Sequence, residues 1–178
     1  MERQDSVFNG LCALPDDCSL VAVHDAARPL VTEDEVLCVL RDGFEHGAAV
    51  LGVPMKATVK ESENGRFVLR TVPRSRLWEI HSPQVARKDL FLAGFALVKE
   101  QGLEVTDDVS VVEALGEPVR LTPGEYTNIK LTMPEDMRVA EQLLMERGVV
   151  PGGRQIHDKA LQTAATPPVK GRWAGSEL

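Results

Sequence analysis

Leu20-Val21-Ala22-Val23-His24-Asp25-Ala26-Ala27-Arg28-Pro29 begins as an apolar run and stops abruptly in polar residues. A run of that kind reads as a buried strand of a parallel sheet, covered on both faces. Its carboxyl end then carries a carboxylate, two small residues, a guanidinium and a proline. In open α/β sheets, ligands bind just outside the carboxyl ends of the strands. Asp25 could hold a metal ion there and Arg28 a phosphate, with Ala26 and Ala27 keeping bulk away. Taken alone, the stretch reads equally well as a strand and a solvated turn in which Asp25 and Arg28 pair only with each other.

On its carboxyl side, Thr32-Glu33-Asp34-Glu35 is a capping box. The helix it opens is expected to bury Val36, Leu37, Val39, Leu40 and Phe44 and to stop at His46-Gly47. Residues 48–53 are a second apolar run and a second parallel-strand candidate, so the strand–helix–strand unit implies a right-handed crossover. On the amino side, residues 3–14 put Val7, Leu11 and Leu14 on one helix face, with Phe8 and Cys12 alongside, and Pro15-Asp16-Asp17 closes the helix. An α/β domain usually opens on a strand, whereas this chain opens on a helix. The expectation is a fragment, or a shortened chain, lacking its first βα unit.

Beyond residue 54 the pattern changes. Residues 57–61 and 66–71 alternate around Glu63-Asn64-Gly65, a strong hairpin signal. Its polar faces suggest an arm, over about residues 57–83, that packs on a partner subunit. A connecting stretch from Arg74 follows, with a return strand around residues 78–82. Residues 90–99 are helical, and Thr106-Asp107-Asp108 caps a short helix carrying Val109, Val112 and Leu115. Residues 119–121 and 128–131 read as strands. Thr132-Met133-Pro134-Glu135 is a second capping box, opening a helix to about residue 147 with Val139, Leu143 and Leu144 inward. Residues 149–178 are rich in Gly, Pro, Thr and Ala without a period, and read as a flexible tail behind a single domain over residues 1–148.

Composition bounds the class. The chain has 178 residues, 43% apolar and 26% charged, which is the balance of one soluble globular domain. No run approaches bilayer-spanning length, so no membrane association is expected. The net charge of −7 argues against non-specific nucleic-acid binding. Cys12, Cys18 and Cys38 are odd in number and lack metal-type spacing, so they read as free thiols in a reducing compartment, with Cys12 and Cys38 in the core.

In order along the chain stand Arg3-Gln4-Asp5-Ser6-Val7, His24-Asp25-Ala26-Ala27-Arg28-Pro29, Leu77-Trp78 with Ser82-Pro83-Gln84, Thr106-Asp107-Asp108, and Asn128-Ile129-Lys130 with Thr132 and Pro134-Glu135-Asp136. This ordered set resembles the 2-C-methyl-D-erythritol 4-phosphate cytidylyltransferases, over about residues 3–147. Residues 49–54 and 103–110 look most like the plant and algal branch. The resemblance implies an α/β fold: a Rossmann-like nucleotidyltransferase sheet with a protruding β-hairpin arm, truncated at its amino end. It implies cytidylyl transfer from CTP to methylerythritol phosphate, with release of pyrophosphate. The attacking phosphate oxygen is already anionic, so catalysis is positioning and charge neutralisation.

The same resemblance implies roles residue by residue. Asp25 matches the aspartate that holds Mg²⁺, and Arg28 the arginine on the methylerythritol phosphate. Lys130 matches the lysine orienting the attacking phosphate and Ser6 a nucleotide-contacting serine, while Thr106 either offers its hydroxyl to the substrate or caps a helix. Arg74 and Ser82 fall on the arm and its return, where the family's equivalents reach into the partner's site, so a homodimer is implied. Three departures stand out: Pro73 replaces the usual aspartate, Ser82 replaces the usual threonine, and His81 is unusual in its place. No Gly-rich triphosphate loop precedes Arg3, so this chain is expected to keep a methylerythritol-phosphate half-site and to be almost inactive with CTP. The alternatives are a ribitol-5-phosphate cytidylyltransferase and a non-catalytic remnant that dimerises. A plant-like chain is expected in the plastid stroma, and a bacterial one in the cytoplasm.

Overall fold

In the computed structural model, which describes residues 3–150 and 154–155, the elements run α1 (Arg3–Ala13), β1 (Leu20–Val23), α2 (Glu33–His46), β2 (Ala48–Pro54), β3 (Val59–Glu61), β4 (Arg70–Val72), a 3-10 turn (Arg74–Arg76), β5 (Trp78–Arg87), α3 (Lys88–Gln101), α4 (Ser110–Ala114), β6 (Arg120–Pro123), α5 (Pro134–Glu146), β7 (Val149–Val150) and β8 (Arg154–Gln155). They fall into two units, one ending at Ala140 and the other beginning at Glu141. The main sheet has the order β1-β5-β2-β6. β5 runs antiparallel to both β1 and β2, and β6 is parallel to β2. The sheet is thus mixed. β1 and β2 are not neighbours, because the expected short return strand is a ten-residue strand inserted between them.

Two core clusters lie on the two faces of this sheet. Alternate residues of β2 and β5 point opposite ways. Ala48 and Ala86 join Leu11, Phe91, Phe95, Val98, Val111 and Val112 from α1, α3 and α4. Ala49, Leu51 and Val85 join Val39 of α2. Double cover explains the unbroken apolar run of β2, which is buried from Ala48 to Val53. β1 differs from expectation: it pairs only with β5 within the sheet and is half-buried, with Ala22 exposed. Close backbone approach sets two positions. A Cβ on Gly43 of α2 would lie 2.5 Å from Val85 Cγ1, and one on Gly94 of α3 would strike the Val111 carbonyl of α4.

The first capping box is present in full. Thr32 Oγ1 accepts from the Glu35 N–H at 3.2 Å, and Glu35 Oε2 accepts from the Thr32 N–H at 2.9 Å. The second differs: Asp136, not Glu135, reaches back to accept from the N–H groups of Thr132 and Met133. Several residues expected inside are outside. Leu37 and Phe44 are 56% and 79% exposed, because they lie on the side of α2 turned away from Val39. Cys12 is exposed where its neighbour Leu11 takes the core, and Val139 is exposed where Ala140 is buried. Cys38 is half-buried, and all three cysteines are free.

The hairpin exists, but Asn64-Gly65 is not a two-residue turn. β3 and β4 pair from Val59↔Val72 to Glu61↔Arg70, and the connection is residues 62–69. Ser62 and Asn64 side chains close that longer loop by accepting from the N–H groups of Gly65, Arg66 and Phe67. Residues 128–131, expected as a strand, are a loop tied down by the Leu131 N–H, which donates to the Ala27 carbonyl at 2.7 Å. At the start of the expected tail, β7 and β8 pair antiparallel. The remainder of the tail lies outside the described residues.

Candidate active site

The carboxyl end of β1 turns sharply. The Arg28 N–H donates to the Asp25 carbonyl at 2.8 Å, and the Ala27 N–H donates to Asp25 Oδ1 at 3.1 Å. Asp in such a turn satisfies the backbone two residues on. The turn presents Asp25 and Arg28 on one side, where the middle of β5 and the loops at 106–109 and 128–131 meet it. Together they enclose a cleft of about 230 Å³, lined by Asp25, Arg28, Ile80, His81, Ser82, Gln84, Thr106, Asp107 and Lys130.

Asp25 Oδ2 and Lys130 Nζ form an ion pair at 2.6 Å, with the lysine side chain 49% and the aspartate 25% exposed. A pair this wet contributes little to stability. It does hold the Asp25 carboxyl below the usual carboxylate range, chiefly through the Lys130 hydrogen bond and against the opposing effect of burial. Arg28 does not take up the surface pairing with Glu33 or Glu35 that its sequence neighbours offer. Its Nη1 donates to the Asn128 carbonyl at 2.7 Å and its Nη2 to the Ile80 carbonyl at 3.3 Å. The guanidinium therefore bridges β5 and the 128–131 loop, and burial lowers its pKa against the pull of Asp25 and Glu79. Two of its five N–H groups serve those carbonyls, and an anion in the cleft can use others.

Ser82, expected on the return of the arm, lines the cleft of its own chain at 6% exposure, because β5 carries it back into the sheet. Its Oγ accepts from the Asp25 N–H at 3.0 Å. Five of the seven residues singled out, Asp25, Arg28, Ser82, Thr106 and Lys130, share this cleft. Arg74 stands apart at the base of the hairpin, donating to the Lys56 carbonyl at 2.9 Å. Ser6 lies on the exposed side of α1 and is not among the residues lining the cleft. A larger hollow of about 770 Å³, between α1 and the carboxyl end of α3, holds none of the seven.

The supporting residues were missed as participants. Gln84 accepts through Oε1 from the N–H groups of Asp108 at 2.8 Å and Val109 at 2.9 Å, and donates through Nε2 to Asp107 at 3.2 Å. Asp107 also accepts from the Ser110 N–H and hydroxyl. Thr106 is held beside the cleft by that anchor. Asn128, fully buried, donates to the Ser82 carbonyl at 3.0 Å. His81 is 3% exposed. Burial, and after it the Arg28 charge, push its pKa down, with Glu79 pulling the other way. A polar side chain flanking a loop motif was the available signal for Gln84 and Asn128. His24 carried none beyond its place next to Asp25.

For a metal, the donor set is sparse. Among the described residues no group of three or more His, Cys, Asp or Glu could cage an ion. Of the two carboxylates lining the cleft, Asp107 is committed to Gln84 and Ser110, which leaves Asp25. A single ionised carboxylate suits Mg²⁺, which keeps waters and shares phosphate oxygens, better than a metal that needs a full protein cage.

Comparison with known proteins gives one family. The model of the family described as IspD, 2-C-methyl-D-erythritol 4-phosphate cytidylyltransferase, matches residues 1–146. A protein of Oryza sativa subsp. japonica named 2-C-methyl-D-erythritol 4-phosphate cytidylyltransferase, chloroplastic, is 56% identical over 146 residues, 82% of this chain and 49% of its own length. One from Desulforamulus reducens with the same enzyme name is 46% identical over 145 residues, 82% of this chain and 62% of its own. The chain thus spans about half to three fifths of these relatives. Among solved structures, the cytidylyltransferase of Thermus thermophilus superposes with a TM-score of 0.72 at 39% identity, covering 81% of this chain and 70% of that one. The synthase from Anaerococcus prevotii gives 0.76 at 32% identity, covering 82% and 67%.

Proposed function

From the premise that this chain belongs to the IspD family of 2-C-methyl-D-erythritol 4-phosphate cytidylyltransferases, we propose that it serves cytidylyl transfer from CTP to methylerythritol phosphate. A phosphate oxygen of the polyol phosphate attacks the α-phosphorus of CTP. The new P–O bond forms as the bond to the β-phosphate oxygen breaks, and pyrophosphate leaves. No proton needs to be removed from an anionic nucleophile, so the protein's task is to hold two anions together.

The observation that carries this reading is the cleft itself. Arg28 and Lys130, two cations on different loops, face one small space together with Ser82 and Thr106. Arg28 is held rigidly by two carbonyls and offers planar donors to a phosphate. Lys130 sits on Asp25 in the free chain. On this reading it would orient the attacking phosphate, leaving the Asp25 carboxylate to hold a metal ion. A bound Mg²⁺ would be held by Asp25 with the nucleotide phosphates, and it supplies neutralisation of charge on the transferred group.

Dimerisation through the arm belongs to the same proposal. Phe67, Val68 and Leu69 at the hairpin loop are 78%, 61% and 55% exposed, an apolar tip that a second subunit would cover. Arg74, at the arm's base, is then available to the partner's cleft. Residence in the plastid stroma is favoured by the chloroplastic relative, and no helix among the described residues is long and apolar enough to cross a membrane.

Calorimetric titration of this chain with methylerythritol phosphate tests the substrate reading, with ribitol 5-phosphate and inorganic phosphate as competitors. Binding of methylerythritol phosphate in preference to both, weakened at least tenfold by Arg28→Ala and Lys130→Ala, is the expected result. Equal affinity for inorganic phosphate, or indifference to both substitutions, would refute it. Pyrophosphate release from CTP with added methylerythritol phosphate reads the transfer step directly.

A further inference from the structure

Ser82 is held by more than Asp25. Its Oγ lies 3.1 Å from His24 Nδ1, and the His24 Nε2 lies 3.1 Å from the Arg28 carbonyl. A carbonyl can only accept, so Nε2 carries the proton. In a neutral imidazole the other nitrogen is then a bare acceptor. The Ser82 hydroxyl must donate to it. That fixes every valence of the Ser82 oxygen: its hydrogen goes to His24, one lone pair takes the Asp25 N–H at 3.0 Å, and one lone pair remains. Ser82 lines the cleft, so what it offers a ligand there is an acceptor and not a donor.

We propose that His24 is a positioning residue that sets the polarity of the Ser82 hydroxyl, so that Ser82 reads a hydroxyl group of the polyol rather than its phosphate. The inference rests on the proposed substrate class and deepens it. The cleft then divides by chemistry. Arg28 and Lys130 present donors, which suit the phosphate. Ser82 presents an acceptor on the β5 wall, which suits the hydrogen of an alcohol and repels an anionic oxygen. A phosphate monoester without hydroxyls would satisfy the first part and leave the second unmatched, and a buried unmatched group is where a polar site discriminates. His24 touches no ligand in this scheme.

Two measurements test it. The first is the tautomer of His24 in the free 178-residue chain, read from the long-range nitrogen–proton correlations of its ring. The Nε2–H form is expected; the Nδ1–H form would overturn the polarity argument whatever the substrate proves to be. The second compares methylerythritol phosphate with butyl phosphate as ligands of the wild type and of His24→Phe, Ser82→Ala, Ser82→Thr and the double variant His24→Phe/Ser82→Ala. Loss of one neutral hydrogen bond should weaken methylerythritol phosphate about five- to tenfold in each of the first two variants and leave butyl phosphate unchanged. The double variant should be no weaker than either single one, and Ser82→Thr should bind as wild type. Equal losses for both ligands would mark general damage, and additive losses in the double variant would show that His24 does not act through Ser82; either refutes the proposal. A wild type that does not distinguish the two ligands refutes the substrate reading as well, while the tautomer measurement still judges the hydrogen-bond scheme.

Discussion

Replacing Gln84 by leucine removes the anchor of the loop that carries Thr106. Gln84 is 5% exposed, and the residues whose N–H groups it satisfies, Asp108 and Val109, are 3% and 2% exposed. Leucine fills much the same space but accepts nothing, so two donors lose their partner out of reach of bulk water. An unmatched buried donor costs about 1–3 kcal/mol. Water entering from the cleft can recover part of that, which puts the loss at about 2–4 kcal/mol for the pair. In urea denaturation with a slope of about 2 kcal/mol/M, the midpoint should fall by about 1–2 M at unchanged slope. Gln84→Glu is a more pointed comparison. It keeps an acceptor for both N–H groups but sets a second carboxylate at the 3.2 Å position now occupied by the amide facing Asp107. Two carboxylates that close cannot both ionise comfortably, so this variant should be weak at neutral pH and recover as the pH falls towards about 5. A Gln84→Leu chain within about 0.5 kcal/mol of wild type, or a Gln84→Glu chain with no such recovery, would show that the loop is held by something else.

In a version of the chain supplied with an amino-terminal triphosphate-binding loop, Lys130→Ala should cost about 2–4 kcal/mol of transition-state stabilisation in the transfer reaction. The same change should let the Asp25 carboxyl, now held low chiefly by that lysine, titrate closer to its ordinary range, which carboxyl-detected NMR can follow. His81→Leu should flatten the acid limb of the stability curve. The buried ring has a lowered pKa, so its contribution is present above the ordinary value of about 6.5 and is lost as the pH falls, because the unfolded chain takes up the proton first. Thermal melts of wild type and variant between about pH 7 and pH 5 should diverge in that direction. Gly94→Ala should destabilise by about 2–3 kcal/mol, since the added methyl meets the backbone of Val111, not a side chain that can swing aside; a melting temperature equal to wild type would mean that α3 and α4 separate more easily than their packing indicates.

Local signals told the truth about helices and less about strands. The Thr32 box lies within the first turn it caps, so propensity, capping and amphipathic spacing agree there before any tertiary contact forms. The apolar run of β2 was equally plain because both faces of that strand are covered. The neighbour relation was not. A strand–helix–strand pattern says that two strands are parallel; it does not say whether another strand lies between them. β5 fills that gap although it carries His81, Ser82 and Gln84, polar residues that a central strand ordinarily avoids. They sit there because β5 forms one wall of the cleft, which is where a functional sheet departs from the apolar pattern of a structural one. The burial of Leu37 and Phe44 failed for a related reason. Periodicity identifies an apolar stripe, but the width of stripe that is used depends on the surface it meets.

The site was legible where single residues carry the chemistry and illegible where geometry is made by their neighbours. Asp25, Arg28 and Lys130 stood out because the ordered motifs that carry the family resemblance pass through them; by residue type alone each reads equally well as a solvated end of an element. What makes them one site is a set of residues with no charge to advertise them. Asn128 offers its backbone carbonyl to Arg28 and its side chain to the Ser82 carbonyl. Gln84 fixes the 106–109 loop, and the Leu131 N–H pins the lysine loop to Ala27. Each of these contacts joins segments far apart in sequence and uses a backbone atom at one end or both. Backbone donors and acceptors are identical at every position, so no composition or spacing rule can single them out. The precision of the Arg28–Lys130 pair therefore depends on partners that only the fold reveals. For the same reason substitutions at Asn128 or Gln84 should impair phosphate binding without removing a single charge from the cleft.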